Sequence, residues 1–137
     1  MATSSDGVDQ LLFGRDPGLS TTLVAVAGGA FFLAAGVRTL SLLSAPTPAF
    51  GTLWSVVAAT MLLLAGASAY LNDGLMISIA LAAGVGLGFF TPEIALGPRE
   101  LEADALRSIT SGTLSGVVFG AVGFAVGAVL CRLRRRL

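Results

Sequence analysis

The chain has 137 residues, of which 55% are hydrophobic and 12% are charged, and its mean hydropathy is +0.89. Soluble domains carry about 25% charged residues, so this composition excludes a water-soluble globule and indicates a small integral membrane protein. Eight arginines balance eight acidic residues, which leaves no excess positive charge for binding nucleic acid. The chain has no histidine, so the commonest metal ligand and general base is missing, and we expect neither a metal nor another cofactor.

Residues 1–18 precede the first apolar run, and we expect them to form a cytoplasmic N-terminal segment. Two structures are open for residues 6–13. One is a short interfacial helix that rests its Leu and Phe side chains on lipid, and the other is a disordered stretch. The sequence from Gly14 to Gly18, which contains Pro17, predicts a turn into the first membrane span.

Four apolar runs are long enough to cross a membrane, since a hydrocarbon core of roughly 30 Å needs about 20 helical residues. They cover residues 19–37, 50–71, 75–91 and 109–131, and none contains an acidic residue, an arginine or a proline. Backbone groups in lipid must bond within their own segment, which favours helices. The predicted fold is therefore an all-α membrane protein, a four-transmembrane-helix bundle with short loops, whose membrane domain spans residues 19–131.

The third span is the shortest. Its 17 residues reach only about 26 Å, so it must thin the bilayer, stand upright or borrow flanking residues. A re-entrant segment is the alternative. The three residues Asn72-Asp73-Gly74 leave room for only a tight turn, so we expect spans two and three to be antiparallel neighbours.

The longest polar segment joins spans three and four, from Pro92 to Ser108. A helix is predicted to start in it, with Pro98 at the first position. Oppositely charged residues stand three apart along this helix and can pair, as Arg99–Glu102 and Asp104–Arg107. The acidic side chains spread around the helix, so we expect a solvated cap rather than a cation site.

A stripe of glycines follows one side of the fourth span. Advancing 100° per residue from Gly112 puts the next four glycines at about 40°, 80°, 20° and 60°, so all five lie within one sector of about 80°. Small residues let helix backbones approach closely, and we expect the stripe to face protein. The third span is its favoured neighbour, and a second copy of the chain is the alternative. The predicted helix-packing residues are Gly112, Gly116, Gly120, Gly123 and Gly127 in span four and Ala80, Gly84 and Gly88 in span three.

A similar spacing of small residues recurs in the first span, at Thr21, Ala25 and Gly29, with Gly36 nearby.

Arginines near span ends predict the orientation of the chain. Four of them stand in the C-terminal tail, residues 132–137, and we interpret them as topology anchors that hold the tail in the cytoplasm. They are Arg132, Arg134, Arg135 and Arg136. Four spans then place the N-terminus in the cytoplasm as well. Binding of anionic lipid or of a partner protein is the alternative interpretation of this tail.

The spans lack the groups that transport and hydrolysis use. Transporters place ionisable side chains at membrane depth, whereas Asp73 and Glu93 lie at span ends. Without histidine no Ser–His or Cys–His pair can form, and Cys131 also lies at a span end. Trp54 and Tyr70 stand near opposite ends of the second span, as interfacial aromatic residues do. We therefore assign no catalytic residue and expect no enzyme.

Apolar spans, small loops and close-packing stripes favour a non-catalytic structural or accessory subunit, or scaffold, of a membrane. A small oligomeric channel or facilitator is the alternative, and a membrane protein of an enveloped prokaryotic virus is a further one. We expect the partners to be the lipid bilayer and either a second copy or another membrane protein, not nucleic acid. The basic residues are all arginine, and arginine codons are rich in G and C whereas lysine codons are rich in A and T. We therefore expect a GC-rich genome, and hence a prokaryotic multi-pass protein of the plasma membrane.

Overall fold

The computed structural model describes residues 4–44, 50–96 and 101–136, and every regular element in them is an α-helix. The helices are α1 (Ser4–Phe13), α2 (Pro17–Leu43), α3 (Phe50–Asn72), α4 (Leu75–Leu96) and α5 (Leu101–Arg134). The last four are long and apolar enough to cross a membrane. Even the shortest of them, α4, measures about 33 Å at 1.5 Å per residue, which exceeds the hydrocarbon thickness. The prediction of an all-helical chain with four apolar spans is confirmed.

The N-terminal segment is a helix of its own, joined to α2 by a tight turn. Of the two structures open for residues 6–13, the helix is the one observed. Gly14 in the turn has a φ of +87°, a left-handed conformation that glycine adopts at no steric cost. The Asp16 side chain then caps α2, because it accepts hydrogen bonds from the backbone N–H of Gly18 at 2.9 Å and of Leu19 at 3.2 Å.

Two helices continue past the charged or proline residues that were expected to end them. α2 runs past Arg38 to Leu43, and α4 runs through Pro92 to Leu96. Pro92 has no N–H to donate to the carbonyl of Gly88, so it costs α4 one backbone hydrogen bond, but it does not end the helix. Arg38 has an ion-pair partner in Glu93, so it can stay in α2 although it is buried. The helices are therefore longer than the predicted spans one and three, and α4 is continuous without a re-entrant turn.

The last helix also begins earlier than the predicted span, at residue 101 rather than 109. Polar residues of the connecting segment thus form its first turns. The predicted helix start at Pro98 and the predicted pairs Arg99–Glu102 and Asp104–Arg107 lie outside the described residues and side chains.

α4 is the centre of the arrangement. It contacts α2, α3 and α5, while α5 packs against both α4 and α3. α2 contacts α4 along its length but has little contact with α3, and the short α1 rests on α4. Contacts such as Ala27–Gly84 and Phe31–Gly88 show that α2 and α4 run parallel. The molecule is therefore a compact three-helix unit, α3–α4–α5, with α2 attached along one side of α4.

The interior is built from small and medium apolar side chains. Its main buried cluster is formed by Met61, Ala65, Ala82 and Val85. Many large apolar side chains point outward instead, and Leu33 is 74% exposed. Such broad apolar exposure is unfavourable in water but not in lipid, which agrees with the membrane class inferred from composition.

Two ends of the molecule are distinguished below. The turn end contains α1, the α3–α4 turn and the C-terminus of α5. The Arg38 end contains the C-termini of α2 and α4.

Candidate functional site

Three glycines of α5 form a ladder against α4. A Cβ atom added to Gly112 would lie 2.9 Å from the Cα of Leu87, and one added to Gly120 would lie 2.7 Å from the Cα of Ile79. Between them, a Cβ on Gly116 would lie 2.7 Å from the Cβ of Ala83 and also too close to its Cα. Real Cβ atoms essentially never come within 3.0 Å of such atoms. The backbones of α4 and α5 therefore touch only because these positions carry no side chain.

The remaining two glycines of the stripe meet α3 instead. A Cβ on Gly123 would lie 2.6 Å from the Cβ of Ala65, and one on Gly127 would lie 2.8 Å from the Cβ of Ala69 and against the carbonyl of Gly66. α5 therefore lies in the groove between α3 and α4 and crosses it obliquely. It is closer to α4 in its first half and closer to α3 in its second half.

The small residues of α4 do not receive this stripe, which corrects one expectation from the sequence. A Cβ added to Gly84 or Gly88 would run into the backbone carbonyls of Ala27 and Phe31 of α2. Ala80, four residues earlier, is only partly buried. The third and fourth spans, α4 and α5, do pack together, as favoured, but α5 meets a different face of α4, which carries Ile79, Ala83, Gly86 and Leu87. A Cβ added to Gly86 would lie 2.7 Å from the carbonyl oxygen of Gly112, so this face also needs a small residue. Gly84 and Gly88 lie on the side of α4 that contacts α2.

The small residues of α2 are the ones that remain uncovered. Ala25, Gly29 and Gly36 are exposed, and no atom lies within 4 Å of a Cβ added to either glycine. Beside them, α2 and α3 diverge over an apolar groove of about 530 Å³, whose floor is formed by Val85 and Phe89 of α4.

The Arg38 end holds a partly buried ion pair. Arg38 donates a hydrogen bond from Nη2 to Oε1 of Glu93 at 2.6 Å, and Arg38 is 9% exposed. Its Cζ lies 5.5 Å from the ring centroid of Phe50 and 5.0 Å from that of Phe89, which is cation–π geometry. Arg38 Nε is buried without a hydrogen-bond partner among the described residues. The pair ties α2 to α4 in one register, since a slip would leave a buried charge unpaired.

An aromatic cluster surrounds this pair and joins α3, α4 and α5. The ring centroid of Trp54 lies 6.5 Å from Phe50, 5.9 Å from Phe89, 5.5 Å from Phe90 and 6.2 Å from Phe119. Offset and edge contacts at these distances stabilise ring pairs beyond simple burial. Trp54 is therefore a packing residue of the bundle, as well as a residue near a span end.

Buried polar side chains gather at the two ends of the described helices. They are Arg38, Ser41, Ser68, Asn72, Ser78 and Ser108. The hydroxyls of Ser68 and Ser78 are hydrogen-bonded to each other at 2.8 Å. Ser68 also donates to the carbonyl of Ala65 in its own helix, and Ser78 to the carbonyl of Gly74, the residue before α4. Between the ends, the interior around Met61 and Val85 is apolar. A continuous polar path along the axis is therefore not formed by the described residues.

Asn72 organises the turn end. It is 1% exposed, its side-chain oxygen accepts from the backbone N–H of Asp16 at 2.9 Å, and its amide donates to Ser20 Oγ at 2.7 Å. Its backbone carbonyl accepts from the N–H of Arg15 at 3.0 Å, and the Arg15 guanidinium pairs with Asp73. The sequence predicted only a tight turn here. Because the partners stand 52 to 58 residues away, no local pattern indicates that the turn holds the α1–α2 segment.

The C-terminal arginines continue the last turn of α5 into solvent. Arg132, Arg134, Arg135 and Arg136 are all exposed. Arg134 donates to the hydroxyl of Tyr70 and lies over its ring at 5.8 Å, so this anchor also joins α5 to the end of α3. In the described part of the chain, no three acidic, histidine or cysteine side chains come together as a metal site would require.

Comparison of the chain with protein-family models, with curated proteins and with solved structures gave no match. The functional argument therefore depends on the packing and the charges described above.

Proposed function

We propose that this chain is a non-catalytic membrane subunit or scaffold that assembles with another membrane protein chain through the open face of α2. The proposal rests on a difference between the two stripes of small residues in the chain. The stripe of α5 is filled by α3 and α4 of the same chain, whereas the stripe of α2 is uncovered.

An open stripe of small residues is a favourable contact for a further transmembrane helix. Association in lipid depends on close packing and weak hydrogen bonds rather than on the hydrophobic effect. Ala25, Gly29 and Gly36 lie on an exposed side of α2 and carry at most a methyl group, and the exposed side chains of Phe32 and Leu33 flank them. A second copy of the chain is one partner of this kind, and an unrelated membrane subunit is another. Assembly through α5, which the sequence left open, is disfavoured because its glycines are already in contact.

The absence of enzymatic activity is part of the proposal. The buried polar groups of the described residues have hydrogen-bond or ion-pair partners apart from Arg38 Nε. Those at the ends of the helices serve to join helices, as Ser68 joins Ser78 and Arg38 joins Glu93. A catalytic constellation would instead present converging groups to a pocket.

The test is native mass spectrometry on the full chain, extracted gently from the membrane in which it is made. We expect an assembly of defined composition, and we expect Gly29→Leu to dissociate it, because the new side chain holds the partner backbone away. Gly28→Leu is the matched control. Gly28 is also exposed and uncrowded, but it stands about 100° around the helix from Gly29. A monomer in the unsubstituted chain, or equal effects of both variants, would contradict the proposal.

A channel or facilitator is the competing function. It requires a polar path, and the apolar middle of the bundle does not favour one within a single chain. Flux measurements in liposomes separate the two functions. Ion or solute flux that Gly29→Leu abolishes would replace the scaffold with an oligomeric channel whose pore lies between copies.

The placement in the cell is proposed on charge alone. The arginines at the turn end, which include those of the C-terminal tail, favour the cytoplasmic side of a plasma membrane for both termini. A prokaryotic cell, or an enveloped prokaryotic virus, is the source that the arginine-for-lysine composition indicates.

A further inference from the structure

A cleft opens at the turn end between α1 and α5. It encloses about 190 Å³ and is lined by Gly7, Leu11, Arg15, Asp73, Phe124 and Arg132. These residues come from α1, the α1–α2 turn, the α3–α4 turn and α5, so only the folded chain brings them together. The cleft exists because α1 rests on α4 and leaves space beside α5.

The cleft has a charged mouth and an apolar wall. Arg132 belongs to the last turn of α5, and Phe124, on the same helix, stands eight residues and thus about 12 Å deeper. Leu11 of α1 is 48% exposed on the opposite side. A ligand that fits both parts combines a polar, charged group with a hydrocarbon chain.

The charges at the mouth favour an anion. Two arginines and one aspartate line the cleft, so one positive charge is in excess. The Asp73 carboxylate accepts a hydrogen bond from Arg15 and raises the pKa of Arg15 above its ordinary value, so this guanidinium stays charged at every working pH. The ion pairs among the described residues are Arg15–Asp73 and Arg38–Glu93. Neither includes Arg132, so no described carboxylate neutralises it.

We propose that this cleft binds the phosphate of an anionic phospholipid, with Arg132 and Arg15 at the phosphate and with Leu11 and Phe124 against an acyl chain. Basic pockets between helices at a membrane surface are suited to such headgroups. The position of the apolar wall, below the arginines and along a spanning helix, favours a lipid over a free phosphate ion. The proposal is independent of any partner protein at α2.

The experiment measures which lipids remain bound to the full chain. The protein is reconstituted in vesicles of equal amounts of phosphatidylcholine and phosphatidylglycerol, released in mild detergent and weighed by native mass spectrometry. We expect phosphatidylglycerol to be retained in preference. Arg132→Gln should lower that retention about fivefold, the effect of one basic residue near a lipid surface. Arg132 is exposed and makes no ion pair with a described residue, so we expect this change to leave the fold intact.

A charge change of opposite sign sharpens the test. Asp73→Asn removes the negative charge that the described lining residues contribute to the cleft, and it should raise retention by a similar factor. Asn fits the backbone there, because it tolerates the left-handed φ of 58° at this position. Arg135→Gln is the matched control, since it removes a tail charge that does not line the cleft.

Two results would overturn the proposal. Equal losses in Arg132→Gln and Arg135→Gln would mean that the tail attracts anionic lipid without a site. Displacement of phosphatidylglycerol by inorganic phosphate at constant ionic strength would mean that the cleft recognises the ion alone. Loss of retention in Leu11→Ser, with helicity unchanged, would support contact with the acyl chain.

Discussion

The contact between Gly116 and Ala83 gives the sharpest test of the packing of α5 on α4. A single methyl group, added as Gly116→Ala, would lie 2.7 Å from the Cβ and 2.8 Å from the backbone N of Ala83. The Cα of Ala83 would lie closer still, and ordinary van der Waals contact begins at 3.4 Å, so the two helices must separate locally by more than about 0.7 Å. A gap of that size removes a quarter to a half of the dispersion energy of the atom pairs on either side.

The magnitude follows from the nature of the obstacle. Overpacking of a well-filled interior costs about 1–3 kcal/mol. The atoms that obstruct the new methyl group at Gly116 belong to the backbone and Cβ of α4, which cannot rotate away. We therefore expect a cost of about 2–3 kcal/mol in the upper part of that range. Alanine also favours the helix by up to about 1 kcal/mol relative to glycine, which partly hides the cost in this variant alone.

The variant Gly28→Ala removes that ambiguity. It makes the same chemical change inside a helix, but no atom lies within 4 Å of the added Cβ. The gain in helix propensity is common to both variants, so the difference between them isolates the packing cost.

The assay is reversible unfolding of the purified chain in mixed micelles with increasing SDS, followed by far-UV circular dichroism. We expect Gly28→Ala to match or exceed the unsubstituted protein in free energy of unfolding, and Gly116→Ala to fall about 2–3 kcal/mol below Gly28→Ala. A difference within the ~0.5 kcal/mol typical of surface substitutions would refute the close approach of α5 to α4.

Two further predictions concern the ends of the molecule. Glu93→Gln should lower the free energy of unfolding by about 2–3 kcal/mol, because it leaves Arg38 buried without its counter-charge; the figure lies below the value for fully buried pairs since Glu93 is 35% exposed. The double variant Arg38→Met with Glu93→Gln should recover most of the loss in the same assay, and no recovery would contradict a charge-based cause. Gly14→Ala should release the α1–α2 turn, because Gly14 has a positive φ and its added Cβ would meet the Asn72 side chain. Hydrogen exchange should then speed up in residues 4–16 and stay unchanged in α3, and uniform acceleration would contradict a local role.

The sequence predicts which side of a helix is buried better than it predicts which helix packs against that side. The spacing of the α5 glycines places them on one side of a helix wherever that helix lies, and all five are buried. The same spacing predicted that Gly84 and Gly88 would meet α5, and they meet α2 instead. Helical angles define a direction on one helix, but the choice of partner depends on the shapes of all the helices together.

The polar contacts show a second limit of the sequence. The sequence places Arg38 and Glu93 at span ends, and their pairing across 55 positions has no local signature. It predicts Asn72 as a turn residue, although the Asn72 side chain bonds to residues more than 50 positions away. The cleft at the turn end likewise collects residues from four separate parts of the chain.

Consecutive residues are enough to predict a helical membrane protein with four apolar segments. Hydropathy and helix length are properties of consecutive residues, because a lipid environment requires each segment to satisfy its own backbone hydrogen bonds. The tertiary structure alone decided that the stripe of α5 is filled while that of α2 stays open, and that two arginines share a cleft with an aspartate. These features depend on how helices pair in space. Lipid solvates the apolar faces of every helix equally well, so close packing and a few polar contacts decide which helices pack together.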